Sequence, residues 1–85
     1  MGRLNDATKT YKLALQFNPT NARYWCNLAK VCNENDKFRN AEKAAKEALR
    51  IDPNSVIGLN NLGLALESQN RPQEALIIYK SALAI

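Results

Sequence analysis

Histidine is absent from the chain. The commonest general base and the commonest metal ligand are therefore missing. Cysteine occurs twice, as Cys26 and Cys32. On one helix these would sit ~9 Å apart along the axis and point in different directions, beyond the reach of a disulfide. Two reduced thiols fit an intracellular, cytoplasmic setting. No apolar run approaches the ~20 residues of a membrane span, and the start lacks the apolar core of a signal peptide. Alternation of apolar and polar residues at period two is missing, so no strand is expected. There is no glycine-rich phosphate loop, no metal-ligand spacing and no nucleophile paired with a base. Glu67 and Glu74 are the nearest paired acids, and nothing else converges on them. No cofactor, metal site or catalytic residue is expected, and the chain is not read as an enzyme.

Acidic residues are the minority, eight against twelve Lys/Arg, for a net charge of +4. The excess is uneven: the first 50 residues hold ten Lys/Arg against five Asp/Glu, the last 35 two against three. A solvated helical surface accounts for such a balance, and neither a nucleic acid nor a membrane partner is expected. The 46% hydrophobic and 24% charged residues are ordinary for a globular domain. At 85 residues this is one domain or part of one.

What is there is helical periodicity. Leu4, Ala7, Tyr11, Ala14 and Leu15 recur at three and four, which predicts a helix over 4–17. Asn18-Pro19 stops it, because the residue before proline is pushed out of the helical region, and Thr20 or Asn21 caps the next helix. That second helix runs from Ala22 to about Glu34, with Trp25, Leu28, Ala29 and Cys32 on its stripe. Asn35-Asp36 reverses the chain, since both residues tolerate the left-handed conformation. A third helix, 38–51, carries small side chains at Ala41, Ala44, Ala45 and Ala48. Asp52-Pro53 ends it and Asn54 or Ser55 caps a fourth, 56–68, whose Gly63 is expected at a close helix approach. Gln69-Asn70 turns the chain into a fifth helix with Pro72 in its first turn.

These helices repeat. Asn27-Leu28 recurs as Asn61-Leu62, Ala41 as Ala75, Ala48-Leu49 as Ala82-Leu83 and Ile51 as Ile85, each 34 residues on. Ala7, Ala14-Leu15 and Phe17-Asn18-Pro19 precede Ala41, Ala48-Leu49 and Ile51-Asp52-Pro53 by the same step. A fixed period of this size marks a stacked repeat array. The pattern resembles the tetratricopeptide repeat, W-x2-L-G-x2-Y then A-x3-F then P. Trp25-x2-Leu28-Ala29-x2-Cys32, Ala41-x3-Ala45 and Pro53 fit one unit, with Ala, Cys and Ala as departures. Leu59-x2-Leu62-Gly63-x2-Leu66 and Ala75-x3-Tyr79 fit the next, and Ala7-x3-Tyr11 with Pro19 supplies half of another.

The resemblance implies an all-α fold: five antiparallel helices in a right-handed α-solenoid of about 2.5 units. Residues 1–21 would be the second helix of a partial repeat, 22–55 a full repeat and 56–85 a nearly full one. With both ends open, an excerpt of a longer array or a homo-oligomer formed through the bare end helices is expected. The resemblance also implies a concave groove lined by the first helix of each unit. Arg23, Cys26, Asn27, Lys30 and Asn33 would face it from one unit, and Ile57, Asn60, Asn61, Leu64 and Glu67 from the next. Arg23, Asn27, Lys30, Ile57, Asn60, Asn61 and Leu64 are the candidate peptide-binding residues. Asn27 and Asn61 match the asparagine ladder of O-linked N-acetylglucosamine transferase-type arrays; an amide there can bond a peptide backbone or the neighbouring helix. The family's carboxylate clamp is not matched, because Cys26 and Lys30 stand where Lys and Asn are wanted. Lys12, Lys46 and Lys80 fall on the outer helices and are read as solvated. The aromatic residues are expected mostly in the core. The functional expectation is protein–protein interaction, with a partner peptide in the groove. The alternative is a structural fragment, natural or engineered, that self-associates with no dedicated ligand.

Overall fold

The computed structural model describes residues 2–85. Five helices follow one another: α1 Gly2–Phe17, α2 Ala22–Glu34, α3 Phe38–Ile51, α4 Val56–Ser68 and α5 Pro72–Leu83. The first begins two residues before the expected Leu4, and the next three agree with the expected bounds.

Local chemistry repeats with the 34-residue step. Asn21 caps α2 by accepting from Tyr24 N at 3.1 Å, and Ser55 caps α4 by accepting from Gly58 N at 3.0 Å. Each satisfies one of the orphan N–H groups of its helix. The reversals after α2 and α4 each place one residue in the left-handed region, Asp36 at φ 59° and Asn70 at φ 60°. Lys37 N then donates to Cys32 O at 2.8 Å, and Arg71 N to Leu66 O at 3.0 Å. The helix exits match too: Asn18 N donates to Ala14 O at 3.0 Å and Asp52 N to Ala48 O at 2.8 Å.

Each helix packs on the next in the chain, and α2 also packs on α4, whereas α1, α3 and α5 do not pack on one another. The row whose members touch is the inner row, and the row that splays is the outer one. This difference curves the stack and makes the α2/α4 side concave. The extents of 32 × 26 × 14 Å describe a slab two helices thick.

The core runs between the rows, through Leu15, Leu28, Ala29, Cys32, Ala41, Ala44, Ala45, Leu62, Ala65, Leu66 and Ala75. The alanines of α3 are almost fully buried, and they let α2 and α4 approach from either side. Gly63 serves a close approach as expected: a Cβ there would collide with the Tyr79 ring. Tyr11, Tyr24, Trp25 and Tyr79 are partly buried against this core. Trp25 N and Leu59 N begin their helices in the same way, donating to Asn21 O and Ser55 O. Phe17 departs from the expected core position. It is 84% exposed at the C-terminal end of α1, and among the described helices only α2 packs on α1. The far end is similar, with Leu83 87% exposed on α5, although its counterpart Leu15 is buried and Leu49 half-buried.

Candidate functional site: the concave face

The inner row presents α2 and α4 side by side, and helical spacing decides which side chains point out of it. On α2 these are Arg23, Asn27 and Lys30, at steps of four and three. On α4 they are Ile57, Asn60, Asn61 and Leu64. The 34-residue step pairs them across the groove: Arg23 with Ile57, Asn27 with Asn61, Lys30 with Leu64. A cation on one helix therefore has an aliphatic side chain at the equivalent place on the next, and an amide pair separates the two levels. Ile57 is 65% exposed and Leu64 44% exposed. Arg23, Lys30 and Asn60 are also exposed, and Asn27 and Asn61 are half-buried. Arg23, Asn27 and Ile57 border a recess of about 450 Å3 at one end of the groove, together with Asp52 and Ser55.

Two residues expected to face the groove are buried instead, Asn33 beneath it and Cys26 at the floor of that recess. Cys26 and Asn33 are buried in the seam between α2 and α4. Cys26 Sγ lies 3.5 Å from Ser55 Oγ. The Asn33 amide donates to Asn61 O at 3.1 Å, and the Asn61 amide donates to Cys26 O at 3.1 Å. Burial won at these positions because α2 and α4 pack directly on each other, so the side chains midway between them are enclosed. Asn33 Oδ1 has no hydrogen-bond partner among the described residues. Asn61 thus uses its side-chain amide N–H to hold the inner row together. Its counterpart Asn27 makes no side-chain hydrogen bond among the described residues. Glu67 is engaged on the other side of its helix, where it accepts from the Tyr79 hydroxyl at 3.0 Å. Burial, and then that bond, raise the Tyr79 pKa.

A polar cluster that sequence spacing did not reveal sits on the outer side. Glu42 of α3 accepts from Gln69 Nε2 at 2.9 Å and from Arg71 Nη1 at 2.8 Å through one oxygen, and from Lys46 at 2.9 Å through the other. Burial works against its charge, but these donors outweigh that and hold its carboxyl at about 2. Arg71 also grips Glu74 through two nitrogens, at 2.7 and 3.0 Å. The partners come from α3 and from the turn ahead of α5, 27 and 29 residues apart. No helical period or repeat step links residues at those separations.

Burial pushes the Cys32 thiol up in pKa, only partly countered by Lys12, which is the reverse of what activates a nucleophile. No three His, Cys, Asp or Glu side chains gather where they could hold a metal ion among the described residues. Among the described residues no helix is long and apolar enough to cross a membrane.

Comparison with known proteins agrees with the geometry. The tetratricopeptide repeat family model matches residues 33–85, and a second model of the same repeat matches residues 1–36. The chain is 38% identical over 79 residues to small glutamine-rich tetratricopeptide repeat-containing protein 2 of Saccharomyces cerevisiae, covering 93% of this chain and 23% of that protein. It is 30% identical over 71 residues to human protein O-mannosyl-transferase TMTC1, covering 84% of this chain and 8% of that one. The Arabidopsis OM64 TPR domain superposes with a TM-score of 0.95 at 32% identity, over 98% of this chain and 69% of that one. The chain belongs to the tetratricopeptide repeat family, and its fold is an all-α solenoid of such repeats. Repeats of this family generally mediate protein–protein interaction. The chain spans less than a quarter of the length of the curated relatives it matches.

Proposed function

We propose that the concave face is a non-enzymatic docking site for a segment of a partner polypeptide, working in the cytoplasm. The observation that carries this reading is the pairing of exposed apolar and polar groups on that face. Ile57 and Leu64 stay uncovered on α4, two turns apart, beside the amides Asn27 and Asn60 and the cations Arg23 and Lys30. Apolar side chains of the partner lie on Ile57 and Leu64, and its backbone bonds the amides. Arg23 and Lys30 favour a carboxylate at either end. Asn61 offers its Oδ1 while its amide holds Cys26 O. The repeat units in this reading are 22–55 and 56–85, with 1–21 as the second helix of a partial one. The surface amounts to a few hundred Å2 per side, roughly half that of a standard interface, so the affinity is weak.

Selection from a peptide library followed by titration calorimetry tests the reading. Asn27→Ala combined with Ile57→Ser is expected to weaken a selected peptide by roughly tenfold or more while leaving the fold intact, since neither side chain is needed in the core. Asn61→Ala is the poorer probe, because it also removes an interhelical bond. Peptides that bind the double variant as well as the parent overturn the proposal.

The uncovered Phe17 and Leu83 favour a second reading, a structural fragment that associates with its own copies through its end helices. Light scattering over a concentration series separates the two. A concentration-dependent oligomer that Leu83→Glu abolishes, with no selectable peptide, supports self-association.

A further inference from the structure

The fold decides where the net charge lies. The outer helices α1, α3 and α5 carry eight Lys/Arg against four Asp/Glu. The inner helices α2 and α4 balance, with Arg23 and Lys30 against Glu34 and Glu67. The connections balance as well, with Lys37 and Arg71 against Asp36 and Asp52. The whole excess of +4 therefore lies on the convex side. It belongs to α1 and α3 alone, because Lys80 and Glu74 cancel on α5.

On α3 the cations form one stripe. Arg39, Lys43, Lys46 and Arg50 follow at steps of four, three and four, all exposed, along ~16 Å of helix. Two recesses of about 560 and about 420 Å3 lie along this stripe and share Lys43 and Lys46. The carboxylate in the first recess, Glu42, is already matched by Lys46 and Arg71, so it repels an incoming anion little. Arg39 and Lys43 have no ion-pair partner among the described residues, whereas Arg50 pairs with Glu47 at 2.7 Å.

We propose that this convex face, centred on Arg39 and Lys43 of α3, docks an acidic segment of a partner protein. The charge excess is the complement of such a segment. Cations at three- and four-residue steps meet Asp/Glu at the same steps on an acidic helix laid along α3. Carboxylates are what the rim of the recess already accommodates, in the two-nitrogen grip of Arg71 on Glu74. No aromatic side chain lines either recess, and stacking on one is what single-stranded nucleic acid would ask of it. Electrostatic docking of this kind is fast, weak and salt-sensitive. The surface lies opposite the inner groove and does not depend on the groove being occupied.

The test is fluorescence anisotropy of a labelled glutamate-rich helical peptide against the whole chain, at about 50 mM and about 300 mM salt. Saturable binding is expected at low salt, roughly tenfold weaker at the higher salt. Arg39→Gln with Lys43→Gln should weaken it about fivefold at low salt, with an unchanged circular dichroism spectrum. Arg39→Gln with Arg50→Gln reads the same stripe should the first variant lose helicity, and the groove variant Asn27→Ala with Ile57→Ser should bind the acidic peptide normally. Absence of saturation at low salt, or equal binding by the folded cation variants, overturns the proposal. So does tighter binding to a DNA duplex or to phosphatidylserine vesicles than to the peptide, which would give this face to a nucleic acid or a membrane.

Discussion

Replacing Glu42 by Gln should loosen the joint between α3 and the turn that leads into α5, and should do so only where the carboxylate is charged. The side chain is 12% exposed and accepts from Lys46, Gln69 and Arg71 at 2.8 to 2.9 Å. A glutamine keeps the oxygen that accepts from Gln69 and Arg71 but turns an N–H group toward the Lys46 ammonium, and it leaves Glu74 as the charged partner of Arg71. The carboxyl is held at about 2 in the fold. A carboxyl near ~4.3 in the unfolded chain makes this shift worth at most ~3 kcal/mol. The cluster borders a recess open to water, and Lys46 is largely exposed, so screening reduces the figure to ~1–2 kcal/mol. In a domain of this size that is a drop in Tm of roughly 5–10 °C near neutral pH. The folded pKa lies below the unfolded one, so the stabilisation is complete above the unfolded value and is lost as pH falls toward 2. Urea denaturation of the parent and Glu42→Gln, at about pH 7 and at steps down to about pH 2.5, measures the difference directly. The gap should close through the window from ~4.3 to ~2. A gap that stays constant across that window, or one below ~0.3 kcal/mol at neutral pH, refutes the reasoning.

Gly63→Ala gains up to ~1 kcal/mol of helix propensity but drives a methyl group into the Tyr79 ring, so a net loss of ~1–2 kcal/mol is expected in thermal melts. The same change made beside Tyr79→Leu should lose much less, and equal losses in both backgrounds would argue against the contact. Ser55→Ala removes the cap accepting from Gly58 N and should cost ~1 kcal/mol, whereas Asn54→Ala should stay within ~0.5 kcal/mol. Equal effects at the two positions would mean that the cap assignment is wrong.

Much of the architecture was legible because each element is specified within a few residues of itself. Asn18-Pro19 and Asp52-Pro53 stop their helices by local sterics, and Asp36 and Asn70 reverse the chain because their side chains tolerate positive φ. Of the two caps offered at each start, the chain used Asn21 and Ser55, the residues immediately ahead of the first helical turn. The outward positions Arg23, Lys30, Ile57 and Leu64 followed from the repeat frame and the helical period. Cys26 and Asn33 escaped that reasoning, since periodicity tells which face a residue lies on but not how closely the neighbouring helix covers it. The Glu42–Gln69–Arg71 cluster escaped it too, because its members meet only when one repeat is stacked on the next.

The sequence alone determined the five helices, their ends and the 34-residue step, because capping, turn propensity and amphipathic period act over a few residues. Tertiary structure alone decided which row of helices closes up and which splays, and therefore which face is concave. It enclosed Cys26 and Asn33, left Phe17 and Leu83 bare, and gathered the full excess of positive charge on the convex side. Those outcomes depend on the distance between helices far apart in the chain, and packing sets that distance through the volumes of side chains such as Ala45, Gly63 and Tyr79.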